Sequence, residues 1–312
     1  MPQILITTSS FDCATNAAID KLVRAGFEIR SNPHARRLTE SEVGDLLAEG
    51  EIVGMIAGVE PLTRYVLDRA QKLKVISRCG IGMDSVDLAA ADDRGIRVCN
   101  TPGAPVSAVA ELTLGLMLDL LRQIGQADRT IRAGGWKQMM GNLLAFQTVG
   151  IVGFGRIGRR VAELLHAFGA KVLVHDPALV DAPSYAEASD FDALLQRADV
   201  VTLHLPYNKS LHHMIGHREL ALMKSSAFLV NTARGGLVDE DALALALGAG
   251  SLAGAALDTF EQEPYKGPLA SLPQMLLTAH MGSYAKESRV QMEREAAENL
   301  VKGLIASGTI QF

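Results

Sequence analysis

Thr148-Val-Gly-Ile-Val-Gly-Phe-Gly-Arg-Ile-Gly-Arg-Arg160 reads as a short apolar strand, a tight glycine turn and the start of a helix. Gly153, Gly155 and Gly158 fall at G-x-G-x-x-G spacing. With 29 glycines in 312 residues such a triplet arises by chance, so its flanks decide. A strand precedes it. Ile157, Val161, Leu164, Leu165 and Phe168 follow at helical intervals, and a second strand, Lys171-Val-Leu-Val-His175, ends at Asp176. That order defines a dinucleotide-binding βαβ unit. Gly153 permits the turn, Gly155 lets the backbone approach a pyrophosphate, and Gly158 lets helix and strand pack closely. The free N–H groups and dipole of the helix start favour an anion. Asp176 can accept hydrogen bonds from ribose hydroxyls and would repel a 2′-phosphate. No Arg or Lys lies between it and Gln196, so the expected cofactor is NAD rather than NADP.

The whole chain bounds this reading. A hydrophobic fraction of 48% over 312 residues is ample for two cores. A net charge of -5 leaves no basic footprint for nucleic acid. Cys13, Cys79 and Cys99 are unclustered and form no C-x-x-C, so neither a disulfide framework nor a metal site is expected. Met1-Pro-Gln-Ile-Leu-Ile6 lacks the charged start and cleavage site of a signal peptide. The most apolar helical stretch, 108–124, contains Glu111, Asp119 and Arg122 and makes a poor membrane span. The expectation is a cytoplasmic protein.

Strand-like segments at 3–7, 27–30, 52–57, 74–77 and 96–99 alternate with helical ones at 16–25, 39–48 and 67–71. Beyond Asn100-Thr-Pro-Gly-Ala104, residues 106–131 form one long helical pattern with a wide apolar face. Further strands are expected at 149–152, 172–175, 200–203, 228–231, 254–257 and 275–278, and a last helix at 285–306. This alternation predicts an α/β fold: two Rossmann-like, doubly wound parallel-sheet domains with a cleft between them. The expected boundaries are 1–100 plus 285–312 for substrate and 101–284 for NAD.

Three more segments fall at expected carboxyl ends of strands, where ligands collect in open α/β sheets. They are Leu229-Val-Asn-Thr-Ala-Arg-Gly-Gly236, Ala256-Leu-Asp-Thr-Phe-Glu-Gln-Glu-Pro264 and Leu276-Leu-Thr-Ala-His-Met-Gly282. Together with Ser77-Arg-Cys-Gly-Ile-Gly-Met-Asp84, Asn100-Thr-Pro-Gly103, Val109-Ala-Glu111 and the glycine turn, they resemble the D-isomer-specific 2-hydroxyacid dehydrogenase family, near its D-3-phosphoglycerate dehydrogenase branch. The resemblance implies a catalytic Arg234, Glu263 and His280. The chemistry agrees with it. Histidine titrates near neutrality and suits proton transfer at the C2 oxygen. A carboxylate orients the ring, and a guanidinium clamps the substrate carboxylate. The family pattern also places Gly153, Gly155, Arg156, Ile157, Gly158, Asp176, His204, Leu205, Pro206, Thr232, Ala233, Asp258 and Gly282 around NAD. Arg78, Gly80, Ile81 and Gly82, with Arg234 and His280, are implied to hold a small anionic 2-hydroxy or 2-oxo acid, the glycine loop as an anion nest.

Several positions depart from the pattern. Gly58-Val59-Glu60 stands where better-known phosphoglycerate enzymes carry Arg-Ser, which weakens the case for phosphate recognition. Asn208 and Leu211 replace two usual threonines, and Ala279 a usual proline. The resemblance implies D-3-phosphoglycerate as first substrate and hydroxypyruvate or glyoxylate as second. With the sequence ending at Phe312, no serine feedback through a regulatory extension is expected. The helix from Val106 and Gly134-Gly-Trp136 resemble the family's dimer contact, implying a homodimer. An NAD-sensing corepressor on the same fold is the rival from another class.

Overall fold

The computed structural model describes residues 1–8 and 11–311. The chain divides into two compact units, Met1–Pro105 with the segment from Ser283 on, and Val106–Gly282. The unit borders fall at 105/106 and 282/283, a few residues from the expected 100/101 and 284/285. Residues 9, 10 and 312 of the expected first domain lie outside the described residues.

The first unit is built on a five-stranded parallel sheet of β1 (Gln3–Ile6), β2 (Glu28–Ser31), β3 (Ile52–Ala57), β4 (Val75–Arg78) and β5 (Arg97–Asn100), in the order β2-β1-β3-β4-β5. Its helices are α1 (Ala17–Arg24), α2 (Glu40–Ala48), α3 (Arg64–Arg69) and α4 (Leu88–Asp93), joined by the last helix of the chain. Thr39 and Glu42 close the capping box at the start of α2. The short α4 was not expected. Its alanine-rich turns show no periodicity, and its start is set by Asp87 accepting from Ala90 N–H. Each face of the sheet has its own core, one built with Val43, Leu47, Val66 and Leu67, the other with Ile19, Leu22, Met292 and Leu300.

The second unit carries seven parallel strands in the order β12-β11-β10-β9-β6-β7-β8. These are β6 (Thr148–Val152), β7 (Lys171–His175), β8 (Ala186–Ala188), β9 (Val200–Leu203), β10 (Phe228–Asn231), β11 (Gly254–Leu257) and β12 (Met275–Leu277). This is the Rossmann order with one added edge strand. That strand is not β8, which occupies the expected third place; the addition is β12, beyond the sixth. The sequence pattern missed β8 because Ala-Glu-Ala contains no β-branched or aromatic residue. The helices are α5 (Val106–Arg122), α6 (Ile124–Arg132), α7 (Arg156–Ala167), α8 (Phe191–Arg197), α9 (His217–Leu222) and α10 (Glu240–Gly248); α11 (Lys286–Ala306) belongs to the first unit.

The single helix expected over 106–131 is a correction. It breaks at Gln123, which takes a left-handed conformation (φ 55°, ψ 39°). Asp119 Oδ1 accepts from Gly125 N–H at 2.7 Å and so satisfies a donor freed by the break. Hydrophobic spacing continues through 131 and hides it.

Candidate active site

The glycine turn lies between β6 and α7. Gly153 has φ 92°, and a Cβ there would stand 2.6 Å from His204 O. A Cβ on Gly158 would stand 2.1 Å from Gly153 O. Both contacts exclude a side chain, so these two glycines are sterically required. Gly155 faces open space and caps α7 without a side-chain hydrogen bond. The first turn of α7 has no acid and begins with Arg156, Ile157 and Gly158, so no side chain of the helix itself offsets its positive end.

Asp176 reaches back into this turn. Its Oδ2 accepts from Phe154 N–H at 2.7 Å and its Oδ1 from Ala178 N–H at 2.8 Å, which fixes the carboxylate at the end of β7. His204 follows β9, and its N–H donates to Val152 O at 2.8 Å. Leu205 packs on the unit's core, and Pro206 is exposed. The His204 imidazole is enclosed although the residue as a whole is half-buried. Burial pushes it down to about 3, so the ring is neutral. Its Nε2 meets Thr202 Oγ1 at 3.0 Å, while Nδ1 is buried with no partner in the structure. The uncapped helix start, the required glycines, the fixed aspartate and this orphaned nitrogen suit a bound dinucleotide.

Past β10, Asn231 shapes the next loop. Its Nδ2 donates to Arg234 O at 2.7 Å and its Oδ1 accepts from Ala233 N–H at 3.0 Å. Thr232 is buried and shares a 2.8 Å hydroxyl contact with Thr113 of α5. The Arg234 guanidinium donates to Ala233 O at 2.8 Å. Asn231 was not singled out from the sequence. A lone Asn ending an apolar strand is its only signal.

His280 sits past the end of β12, at φ 50° in the left-handed region, which costs a non-glycine residue of order 1 kcal/mol. Asp258, at the end of β11 and 1% exposed, holds that turn. Its backbone oxygen accepts from His280 N–H at 2.7 Å. Its carboxylate accepts from Thr278 Oγ1 (2.6 Å), Met281 N–H (2.9 Å) and Gly282 N–H (2.8 Å). Asp258 was expected to line the cofactor; the hydrogen bonds it makes here organise the turn that carries His280 and Gly282. His280 Nδ1 lies 3.0 and 2.9 Å from the two Glu263 carboxylate oxygens. Glu263 in turn accepts from Phe260 N–H at 3.2 Å. The pair leaves Nε2 of His280 for proton transfer and is part-exposed, as an acid–base group must be.

The remaining expected residues belong to the first unit. Arg78 is 8% exposed and its guanidinium donates to Cys79 O. Gly80 has φ 145°, and its N–H donates to Thr101 Oγ1 at 2.8 Å; Asn100 Nδ2 holds Ile81 O at 2.7 Å. The 80–82 loop is therefore clamped from β5 and the residue after it. Glu60 is 1% exposed and accepts from Thr7 Oγ1 and from Gly58 N–H (3.1 Å), a buried carboxylate in the loop after β3.

The family model for the D-isomer specific 2-hydroxyacid dehydrogenase NAD binding domain matches residues 114–282. D-3-phosphoglycerate dehydrogenase of Methanocaldococcus jannaschii is 39% identical over 86% of this chain, which spans only 53% of that relative. Hydroxypyruvate reductase of Thermotoga maritima is 36% identical over 86% of this chain and 90% of its own length. The solved glyoxylate reductase of Paecilomyes thermophila superposes with a TM-score of 0.87 at 31% identity, covering 98% of this chain and 96% of that one. The chain belongs to the D-isomer-specific 2-hydroxyacid dehydrogenase family, NAD-dependent oxidoreductases acting on the CH–OH group of their donors. No helix of the described residues is long and apolar enough to cross a membrane.

Proposed function

We propose that this chain reduces a small, unphosphorylated 2-oxo acid of the glyoxylate or hydroxypyruvate kind to the D-2-hydroxy acid, and runs the reverse oxidation. The His280–Glu263 pair carries the reading. When bound, NADH supplies the hydride that C2 receives. His280 gives its Nε2 proton to the C2 oxygen, and Glu263 steadies the resulting change of charge on the ring. Arg234 pairs with the substrate carboxylate and polarises the carbonyl. The amides of the Gly80–Ile81–Gly82 loop are a further carboxylate holder, with Arg78 beside them in sequence. Gly153, Gly155, Arg156, Ile157, Gly158, Asp176, His204, Leu205, Pro206, Thr232, Ala233 and Gly282 form the proposed NAD site, and Asp258 serves it through the turn it holds. The first unit is then the substrate domain and the second the nucleotide domain.

Glu60 favours an unphosphorylated substrate. The loop that bears a cation in better-known phosphoglycerate enzymes here carries a buried carboxylate, which disfavours a second anionic group. Arg78 supports a second reading, oxidation of D-3-phosphoglycerate. NADH oxidation against glyoxylate, hydroxypyruvate, pyruvate and phosphohydroxypyruvate separates the two. Higher kcat/KM for an unphosphorylated acid is expected, preference for phosphohydroxypyruvate would favour the second reading, and no turnover with any would favour the corepressor alternative. For cofactor choice, Asp176→Ala should narrow the NADH-over-NADPH preference by about tenfold, the worth of one charge-assisted hydrogen bond. An unchanged ratio would mean another group reads the ribose.

The homodimer belongs to the same proposal. Ile124, Ile131, Trp136, Met140, Leu143 and Phe146 are exposed along α6 and the segment after it, an apolar run suited to a second copy. The three cysteines are free, which suits the reducing cytoplasm proposed as its location.

A further inference from the structure

His212, His213 and Glu261 lie together at the surface of the second unit, and none of them has a part in the proposed reaction. One possible ligating atom from each lies within 4.8 Å of the others. The two histidines follow the 3-10 turn Lys209–Leu211, and Glu261 stands in the loop after β11. The two imidazoles stack with centroids 3.8 Å apart and planes 25° apart.

Each ring has a polar neighbour at Nδ1. His212 Nδ1 is 3.3 Å from the Tyr207 hydroxyl, and His213 Nδ1 is 3.7 Å from Asp239 Oδ2. His213 Nε2 is bonded to Glu261. Metal-binding histidines commonly have one nitrogen oriented by a hydroxyl or carboxylate, and here a cation would take the place of the proton shared by His213 Nε2 and Glu261. The main chain is fixed too. His213 adopts φ 55°, and its N–H donates to Gly236 O at 2.9 Å; Glu261 N–H donates to Glu240 Oε1 at 2.8 Å. A left-handed histidine held beside a carboxylate is a local cost that a bound ion would offset.

We propose that His212, His213 and Glu261 form a binding site for a divalent transition cation of the zinc class. Two imidazoles and one carboxylate match a borderline cation and select against magnesium, which prefers an all-oxygen shell. Water completes the coordination. The cation ties the 207–213 segment to the 258–264 loop, two residues from Glu263, and so braces the loop that carries Glu263.

Calorimetric titration of the full chain with Zn2+ tests the site. Wild type should bind one equivalent at this site, and Mg2+ should not bind. His212→Ala and Glu261→Gln should each weaken zinc by at least about tenfold, and Tyr207→Phe by about tenfold, the usual scale for an orienting partner. NADH binding by each variant checks its fold. X-ray absorption of the zinc-loaded wild type gives an answer independent of the variants: imidazole nitrogen and oxygen ligands are expected. Absence of saturable binding, sulfur ligation, unchanged affinity in both variants, or loss of zinc only in His280→Ala would overturn the proposal.

Discussion

His280 and His213 are built alike and placed differently. Each is a histidine in the left-handed region, at φ 50° and 55°, and each meets a glutamate from the segment after β11, Glu263 and Glu261. The His280 turn is held by a carboxylate that is 1% exposed, Asp258, through three donors to its side chain. The His213 turn is held mainly through its backbone, and its ring stacks on a second histidine at the surface. The same pair of side chains therefore suits proton transfer in one place and cation binding in the other. What stands behind a His–Glu pair decides its chemistry more than the pair does.

Swapping the two glutamates gives the largest contrast. Glu263→Gln should lower kcat for 2-oxo acid reduction by about 100-fold, within the usual range for acid–base catalysis. Under metal-free conditions Glu261→Gln should leave kcat nearly unchanged, and equal losses would erase the distinction between the pairs. Next in size, Asp258→Asn replaces the carboxylate that fixes the His280 turn. It should cost about 1.5–3 kcal/mol in urea unfolding, the worth of charged hydrogen bonds, with kcat falling alongside. Unchanged stability and kcat would mean that the turn stands without Asp258.

A third histidine sharpens the contrast, because His204 is enclosed with no carboxylate beside it. Its folded-state value, about 3, lies below the unfolded 6.5, so folding favours the neutral ring. That contribution is complete above about pH 6.5 and is lost as pH falls from there towards 3. His204→Gln should flatten the stability curve across that window, and an unaltered curve would place the acid sensitivity elsewhere. The smallest effect belongs to His213→Asn, since asparagine tolerates the left-handed conformation. Unfolding free energy should change by less than about 1 kcal/mol while zinc binding falls. A larger loss of stability would make the turn structural rather than cation-binding.

Much of this architecture is legible in the sequence because it depends on local chemistry. The turn from Gly153 to Gly158 needs glycines for contacts within a few residues, and the apolar strands of both sheets announce themselves by composition. His280 and Glu263 could be named from family pattern and chemical role. What stayed hidden depends on partners distant in sequence or on breaks that hydrophobic spacing does not register. Asp258 orients a turn more than twenty residues away, and nothing in Ala-Leu-Asp-Thr reveals it. The break at Gln123 leaves the apolar periodicity of α5 and α6 continuous. Glu60 marks a changed loop in the sequence, but only the fold shows its carboxylate buried and held by Thr7 and Gly58. His212-His213 is visible as a pair, but Glu261 joins it only in the fold.

The most direct test of the acid–base assignment compares wild type and His280→Ala side by side, measuring steady-state reduction of glyoxylate and hydroxypyruvate together with NADH binding by fluorescence. The expected result is a kcat lower by about 100- to 10,000-fold with NADH affinity nearly unchanged. Turnover close to wild type would contradict the role of His280, and so would a loss confined to NADH binding.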